Sequence, residues 1–190
     1  PSAGQPDSPR ADKFPFGFPL LLAGVEWLAP DNMLAMKALI VALYGLAMPV
    51  AYLLLRRYLP LLPALAAPLL TLLNPLLLPF SSQVMSEVPY LLASLLALLC
   101  LERAAEPAES GRTRYLVAGA LLAVVATTLR IVGLSLFAGA GLWYLMRKRY
   151  RQGLLVAGIY LGSLLVLHLL GAGVVGPFYV EEAMKVHPYR

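Results

Sequence analysis

The sequence predicts an all-α polytopic membrane protein with about six transmembrane helices and an amino-terminal interfacial helix. Three observations carry that prediction. The 190 residues are 60% hydrophobic and 13% charged, with a mean hydropathy of +0.76, far too apolar for a water-soluble chain of this size. The basic residues cluster at the ends of apolar runs, where they act as orientation signals. The stretch Phe80 to Tyr90, Phe-Ser-Ser-Gln-Val-Met-Ser-Glu-Val-Pro-Tyr, is a short polar turn between two charge-free runs, Leu62 to Pro79 and Val88 to Leu101, which places Glu87 at a membrane boundary.

In chain order, Pro1 to Lys13 is rich in Pro, Ser, Gly and charge and reads as an aqueous loop. Phe14 to Leu28 is aromatic but broken by Pro15, Gly17 and Pro19, too short to span about 30 Å of hydrocarbon. An interfacial helix suits it, with Trp27 and the phenylalanines at headgroup level and Glu26 turned to water. Asp31 or Asn32 is placed to cap the next helix. The first crossing is Met33 to Leu55, with Pro49 tolerated inside it, and Arg56-Arg57 stop it. The second is Leu62 to Phe80 and the third Val88 to Leu101. A charged loop, Glu102 to Arg114, precedes an apolar run from Tyr115 to Met146 that holds one charge, Arg130.

As one helix that run would be roughly 48 Å long, well beyond the bilayer core. It is better divided into two short helices meeting at Arg130 and Gly133. Fifteen residues each, or roughly 22 Å, would leave the junction below the headgroups. Arg147 to Arg151 closes the pair, Gly153 to Val175 makes the sixth crossing, and Gly176 to Arg190 is a polar, aromatic tail. The whole is one transmembrane domain, with 1–32 an outer loop and interfacial helix, 33–175 the spans and 176–190 an outer loop.

Charge tests the division. With Arg56 and Arg57 on the cytoplasmic side, alternation brings Arg103, Arg112, Arg114, Arg147, Lys148, Arg149 and Arg151 there too, nine of the 15 basic residues. Glu87, Arg130, the amino-terminal loop and the tail with Glu181, Glu182, His187 and Arg190 then share the outer face. No long polar surface remains for a nucleic acid, so none is expected as a partner. The only cysteine, Cys100, forms no intramolecular disulfide and reads as an apolar filler. His168 lies in the sixth crossing and reads as a helix-packing histidine.

An outer cavity of interleaved acids and cations beside an aromatic helix suits an amphiphile with an anionic head, such as a lipid phosphate. Arg130 is the sharpest candidate, because an intramembrane arginine is costly and needs an anion. Glu87, at a helix start, is the available partner. Lys13 is a second phosphate cation, and Asp12 and His187 are the candidates for a divalent metal.

Several stretches, taken in order, resemble the GT-C membrane glycosyltransferases, the group of the protein O-mannosyltransferases and bacterial aminoarabinose transferases. They are Asp12-Lys13-Phe-Pro-Phe-Gly-Phe-Pro, Arg56-Arg57, Asn74-Pro75, Ser86-Glu87-Val-Pro-Tyr, Glu102-Arg103-Ala and Leu129-Arg130-Ile-Val-Gly133-Leu. Phe16 stands where a second Pro is usual and Ile131 where many relatives have Pro.

The resemblance implies transfer of a sugar from a polyprenyl-phosphate carrier to an unspecified acceptor at the outer face, in a bacterial inner membrane with the active side toward the periplasm or exterior. It also implies a catalytic aspartate in a loop after a first helix that is expected upstream of Pro1. The acidic residues left before the interfacial motif are Asp7 and Asp12. Two other classes fit the composition: a lipid-linked sugar flippase or small-solute transporter, and a structural subunit of a membrane complex.

Overall fold

The computed structural model describes residues 15–74, 83–106 and 112–170. Among them every regular element is a helix: α1 (Gly17–Leu28), α2 (Met33–Leu55), α3 (Leu61–Leu72), α4 (Glu87–Ala104), α5 (Arg112–Leu129), α6 (Gly133–Met146) and α7 (Tyr150–Leu169). Three of these, α2, α5 and α7, are long and apolar enough to cross a membrane. The 18 residues of α4 carry Glu87 at one end and Glu102 and Arg103 at the other, while α1, α3 and α6 are shorter apolar helices. The protein is an all-α integral membrane protein.

Local chemistry explains most boundaries. Asn32 caps α2, its Oδ1 accepting from the Ala35 N–H at 3.0 Å, and Asp31 takes a left-handed conformation, φ 54°, to turn the chain there. Pro49 remains inside α2 without ending it. The break between α5 and α6 is a tight turn. Gly133 donates to the Arg130 carbonyl at 2.9 Å, and a Cβ on Gly133 would lie 2.6 Å from the Thr127 backbone, so only glycine fits.

Helix packing relies on small side chains, as expected where lipid removes the ordinary hydrophobic drive between helices. Ala93, Ala97 and Ala104 of α4 and Ala120, Ala123 and Ala126 of α5 are buried, and Gly119 lets α5 close on Leu101. Two tyrosines are fully buried with their hydroxyls satisfied. Tyr144 donates to the Leu101 carbonyl at 3.0 Å, and the Tyr160 hydroxyl meets Thr127 Oγ1 at 2.7 Å. Tyr160 also stacks on Phe137, with ring centroids 4.1 Å apart. Tyr44 ties α2 to α3 through the Thr71 carbonyl at 2.8 Å. These hydrogen bonds fix helix register where dispersion alone would allow sliding.

Four expectations are corrected. In the second apolar segment helix α3 ends at Leu72; Leu73 caps it and Asn74 leaves the helix, because the residue before Pro75 is pushed out of the helical region, and residues 75–80 lie outside the described residues. Helix α5 begins at Arg112 rather than Tyr115, since basic side chains at a helix end reach water along their own stems. At 18 residues it is roughly 27 Å long, which brings the junction at Arg130 closer to the boundary than two equal 15-residue helices would. Helix α7 starts three residues before Gly153 and ends at Leu169. His168, in its last turn, is exposed rather than packed between helices.

Candidate functional site

The two ends of the helices carry different chemistry. At one end the junction of α5 and α6 meets the start of α4. Arg130 is the first residue past α5, its N–H still donating to Ala126 O at 2.9 Å, and its guanidinium projects onto Glu87, the first residue of α4. Arg130 Nη1 and Glu87 Oε1 are 2.5 Å apart, with the side chains 35% and 38% exposed. The pair is therefore half-exposed, neither fully buried nor fully solvated.

The pair stands on the wall of a cavity of about 460 Å³. Met85, Ser86 and Glu87 come from the approach to α4, Leu129 to Val132 from the α5–α6 junction, and Pro15, Phe18 and Pro19 from α1 and its lead-in. Apart from the pair the lining is mostly apolar, a shape suited to a long-chain ligand with one anionic group.

Helix α1 is held here by two contacts. Gly17 lies so close to the end of α5 that a Cβ would sit 2.6 Å from Thr128 O and Oγ1. Phe18 packs on two buried clusters, one with Ile40, Tyr44 and Val88 and the other with Ala93, Ala126 and Leu129. Phe18 thus joins α2, α4 and α5, whereas Trp27 at the other end of α1 is 83% exposed. The Glu26 carboxylate accepts from the Asp31 N–H at 2.9 Å in an exposed contact and holds the α1–α2 turn.

Of the sequence-derived candidates, Glu87 and Arg130 are brought together as an ion pair. Lys13, Asp7, Asp12 and His187 lie outside the described residues, as do Glu181, Glu182 and Arg190. Among the described residues no three of His, Cys, Asp and Glu gather in a way that could hold a metal. Sequence reasoning missed Gly17 and Thr128, which seat α1, and the apolar wall formed by Met85 and Val132. The one available signal was glycine inside a proline-framed aromatic run, a mark of close backbone approach.

Residues 13–173 match the family model for dolichyl-phosphate-mannose-protein mannosyltransferase. The chain belongs to that family. Membership carries glycosyltransferase chemistry with a lipid-linked sugar donor. Neither a curated protein nor a solved structure matches the chain. The matched span includes the whole cavity, from Pro15 to Val132.

Proposed function

We propose that the chain forms the donor-binding part of a glycosyltransferase that takes its sugar from a polyprenyl-phosphate carrier at the outer membrane face, in a bacterial inner membrane with that face toward the periplasm. The observation that carries this reading is the half-exposed Arg130–Glu87 pair set in an otherwise apolar cavity. A guanidinium is permanently charged and presents paired donors to phosphate oxygens. Arg130 holds the carrier phosphate; Glu87 keeps the guanidinium aimed before the donor arrives and shares it afterwards. Phe18, Pro19 and Val132 take the first part of the polyprenyl chain. Lys13, two residues ahead of Pro15 in the chain, is proposed as a second phosphate cation.

Transfer needs an acceptor hydroxyl or amine to attack the anomeric carbon while the bond from that carbon to the carrier phosphate oxygen breaks. The phosphate leaves with the bonding electron pair, and the acceptor proton goes to a base. Glu87 is the carboxylate on the cavity wall, but its oxygen is engaged by Arg130, so its role is positioning; Asp7 and Asp12 remain the proposed candidates for the base. The growing charge on the leaving phosphate is what Arg130 offsets most strongly in the transition state. The family's description names a protein as acceptor. A divalent metal held by Asp12 and His187 also remains a proposal.

A transfer assay with labelled polyprenyl-phosphate sugar tests the reading. Arg130→Ala removes charge-assisted hydrogen bonds of about 1.5–3 kcal/mol and should lower kcat/KM for the donor by about 10- to 100-fold, through a higher donor KM and a lower kcat together. Arg130→Lys should recover part of the loss. Unchanged donor kinetics in folded Arg130→Ala would overturn the phosphate role. Carrier movement across the membrane without sugar transfer would favour the flippase instead.

A further inference from the structure

We propose that Ser86 determines which donor sugar is accepted: with the carrier phosphate on Arg130, the Ser86 hydroxyl hydrogen-bonds the sugar hydroxyl at C2, next to the anomeric carbon. This rests on the donor-binding reading above and extends it from the phosphate to the sugar.

The wall of the Arg130 cavity divides by chemistry. Among its described lining residues three side chains are polar: Arg130 is a cation, Glu87 an anion and Ser86 a neutral hydroxyl, while the rest are apolar. A lipid-linked sugar also has three parts. Its chain needs an apolar wall, its phosphate a guanidinium, and its sugar a group that can both donate and accept. Arg130 only donates. The Glu87 carboxylate only accepts and already receives Arg130. A serine hydroxyl does both, so Ser86 is the side chain on this wall whose chemistry fits a neutral polyol.

The sequence frees that hydroxyl from its usual work. A serine just before a helix normally accepts from the N–H two or three residues on, out of an extended backbone. Ser86 instead has φ −76° and ψ −12°, in the helical region, and its side chain makes no cap. Three residues on stands Pro89, which has no N–H to offer. The Ser86 hydroxyl forms no hydrogen bond among the described residues. Its backbone, by contrast, is fixed. The Ser86 carbonyl accepts the Tyr90 N–H at 3.1 Å, and Val88 and Pro89 behind it are buried. A hydroxyl on a rigid helix start, with no structural duty of its own, is suited to selecting a ligand.

Position then selects the C2 hydroxyl. Ser86 is the chain neighbour of Glu87, which touches Arg130, and all three line one cavity. The anomeric carbon is bonded to the carrier phosphate oxygen, and C2 bears the hydroxyl closest to that bond. A phosphate anchored on Arg130 therefore brings this hydroxyl, before any other of the sugar, to the part of the wall that Ser86 occupies.

The test measures the affinity of the purified protein for three ligands of equal chain length: polyprenyl phosphate, polyprenyl-phosphate mannose, mannose being the sugar in the family's description, and the 2-deoxymannose counterpart. The wild type should bind the mannose ligand about fivefold more tightly than the 2-deoxy ligand, the scale of one neutral hydrogen bond. Ser86→Ala should lose that fivefold for the mannose ligand and nothing for the other two, a cycle in which removing either hydroxyl cancels the effect of the other. The substitution deletes no cap, so its melting temperature should match the wild type.

A loss in Ser86→Ala as large for the 2-deoxy ligand as for the mannose ligand would overturn the contact, and so would a wild type that binds those two alike. Polyprenyl phosphate tests the underlying reading separately. Arg130→Ala should weaken it about tenfold or more; if that ligand is unaffected, the phosphate role of Arg130 fails, whatever Ser86 does.

Discussion

The two ends of α4 make the same kind of contact to opposite effect. At its start, Glu87 pairs with Arg130 on the wall of a cavity, both side chains more than a third exposed. At its finish, Glu102 and Glu106, the latter two residues beyond the helix, receive the Tyr58 hydroxyl and the Arg57 guanidinium from the short α2–α3 connection. Arg112 adds a hydrogen bond to the Glu106 carbonyl, and Arg103 and Arg114 lie over the Tyr115 ring at 6.0 and 5.0 Å. Among the described residues one end has a single ion pair facing a mostly apolar cavity. The other has a mesh of partners belonging to the protein, which ties three connections together. An ion pair at a membrane boundary therefore says little until its surroundings are known; what separates the two ends here is the cavity beside the Arg130–Glu87 pair.

The sharpest way to break this comparison is to reverse a charge at each end. Glu87→Lys sets two cations side by side in the cavity and removes the group that aims Arg130. Turnover with a lipid-linked sugar donor should fall about 100-fold, on the scale of losing a charged partner within a polar network, while membrane insertion stays normal. Glu106→Lys at the other end should leave turnover within about twofold and show its effect in thermal stability. Equal losses of turnover from the two reversals would erase the distinction between the ends.

A smaller effect is expected from the seat of α1. Gly17→Val places side-chain atoms against Thr128, where even a Cβ would be 2.6 Å from the carbonyl oxygen. α1 must shift and take Pro15, Phe18 and Pro19 of the cavity wall with it. Donor KM should rise about tenfold, the scale of a displaced binding wall, with little change at the Arg57 end. Gly24→Val in the same helix meets nothing within 4 Å and should be neutral. If both substitutions behave alike in the donor titration, the α1 wall has no role in binding.

These outcomes bear on what the sequence could and could not tell. Glu87 and Arg130 were legible because a charge between apolar runs is expensive and must meet an opposite charge, and the α5–α6 break was legible because one helix of that length exceeds a bilayer. The extent of α2, from Met33 to Leu55, was legible for the same reason, with Arg56 and Arg57 as its stop. The seating of Phe18 was not, because an aromatic residue near a membrane boundary has the same sequence signal whether it lies among headgroups or packs on α2, α4 and α5. The Tyr58–Glu102 contact joins residues 44 apart in the chain, and nothing local announces it. Nor did composition reveal where α3 stops, since the residues beyond Leu72 are still leucines and the signal was the single dipeptide Asn74-Pro75.

The smallest and most local test concerns Tyr58, which lies in the α2–α3 connection outside the spans. Partial burial of its hydroxyl, followed by the hydrogen bond to the Glu102 carboxylate, pushes the phenol up to about 12 from an ordinary value of 10.0. The folded pKa is raised, so the folded protein holds this proton more tightly than the unfolded chain does. Stability from the contact is then fully present below pH 10 and is lost as pH rises through about 12. Tyr58→Phe deletes the hydroxyl but keeps the ring. The wild type should melt a few degrees above this variant at neutral pH, a gap on the scale of one hydrogen bond to a charged group. The gap should hold up to pH 10 and close toward pH 12, and the phenolate absorbance lost in the variant should be the part that titrates late. Titration of that lost absorbance with a midpoint near 10 would show that Glu102 does not hold the hydroxyl, and the Arg57 end would then rest on its arginines alone.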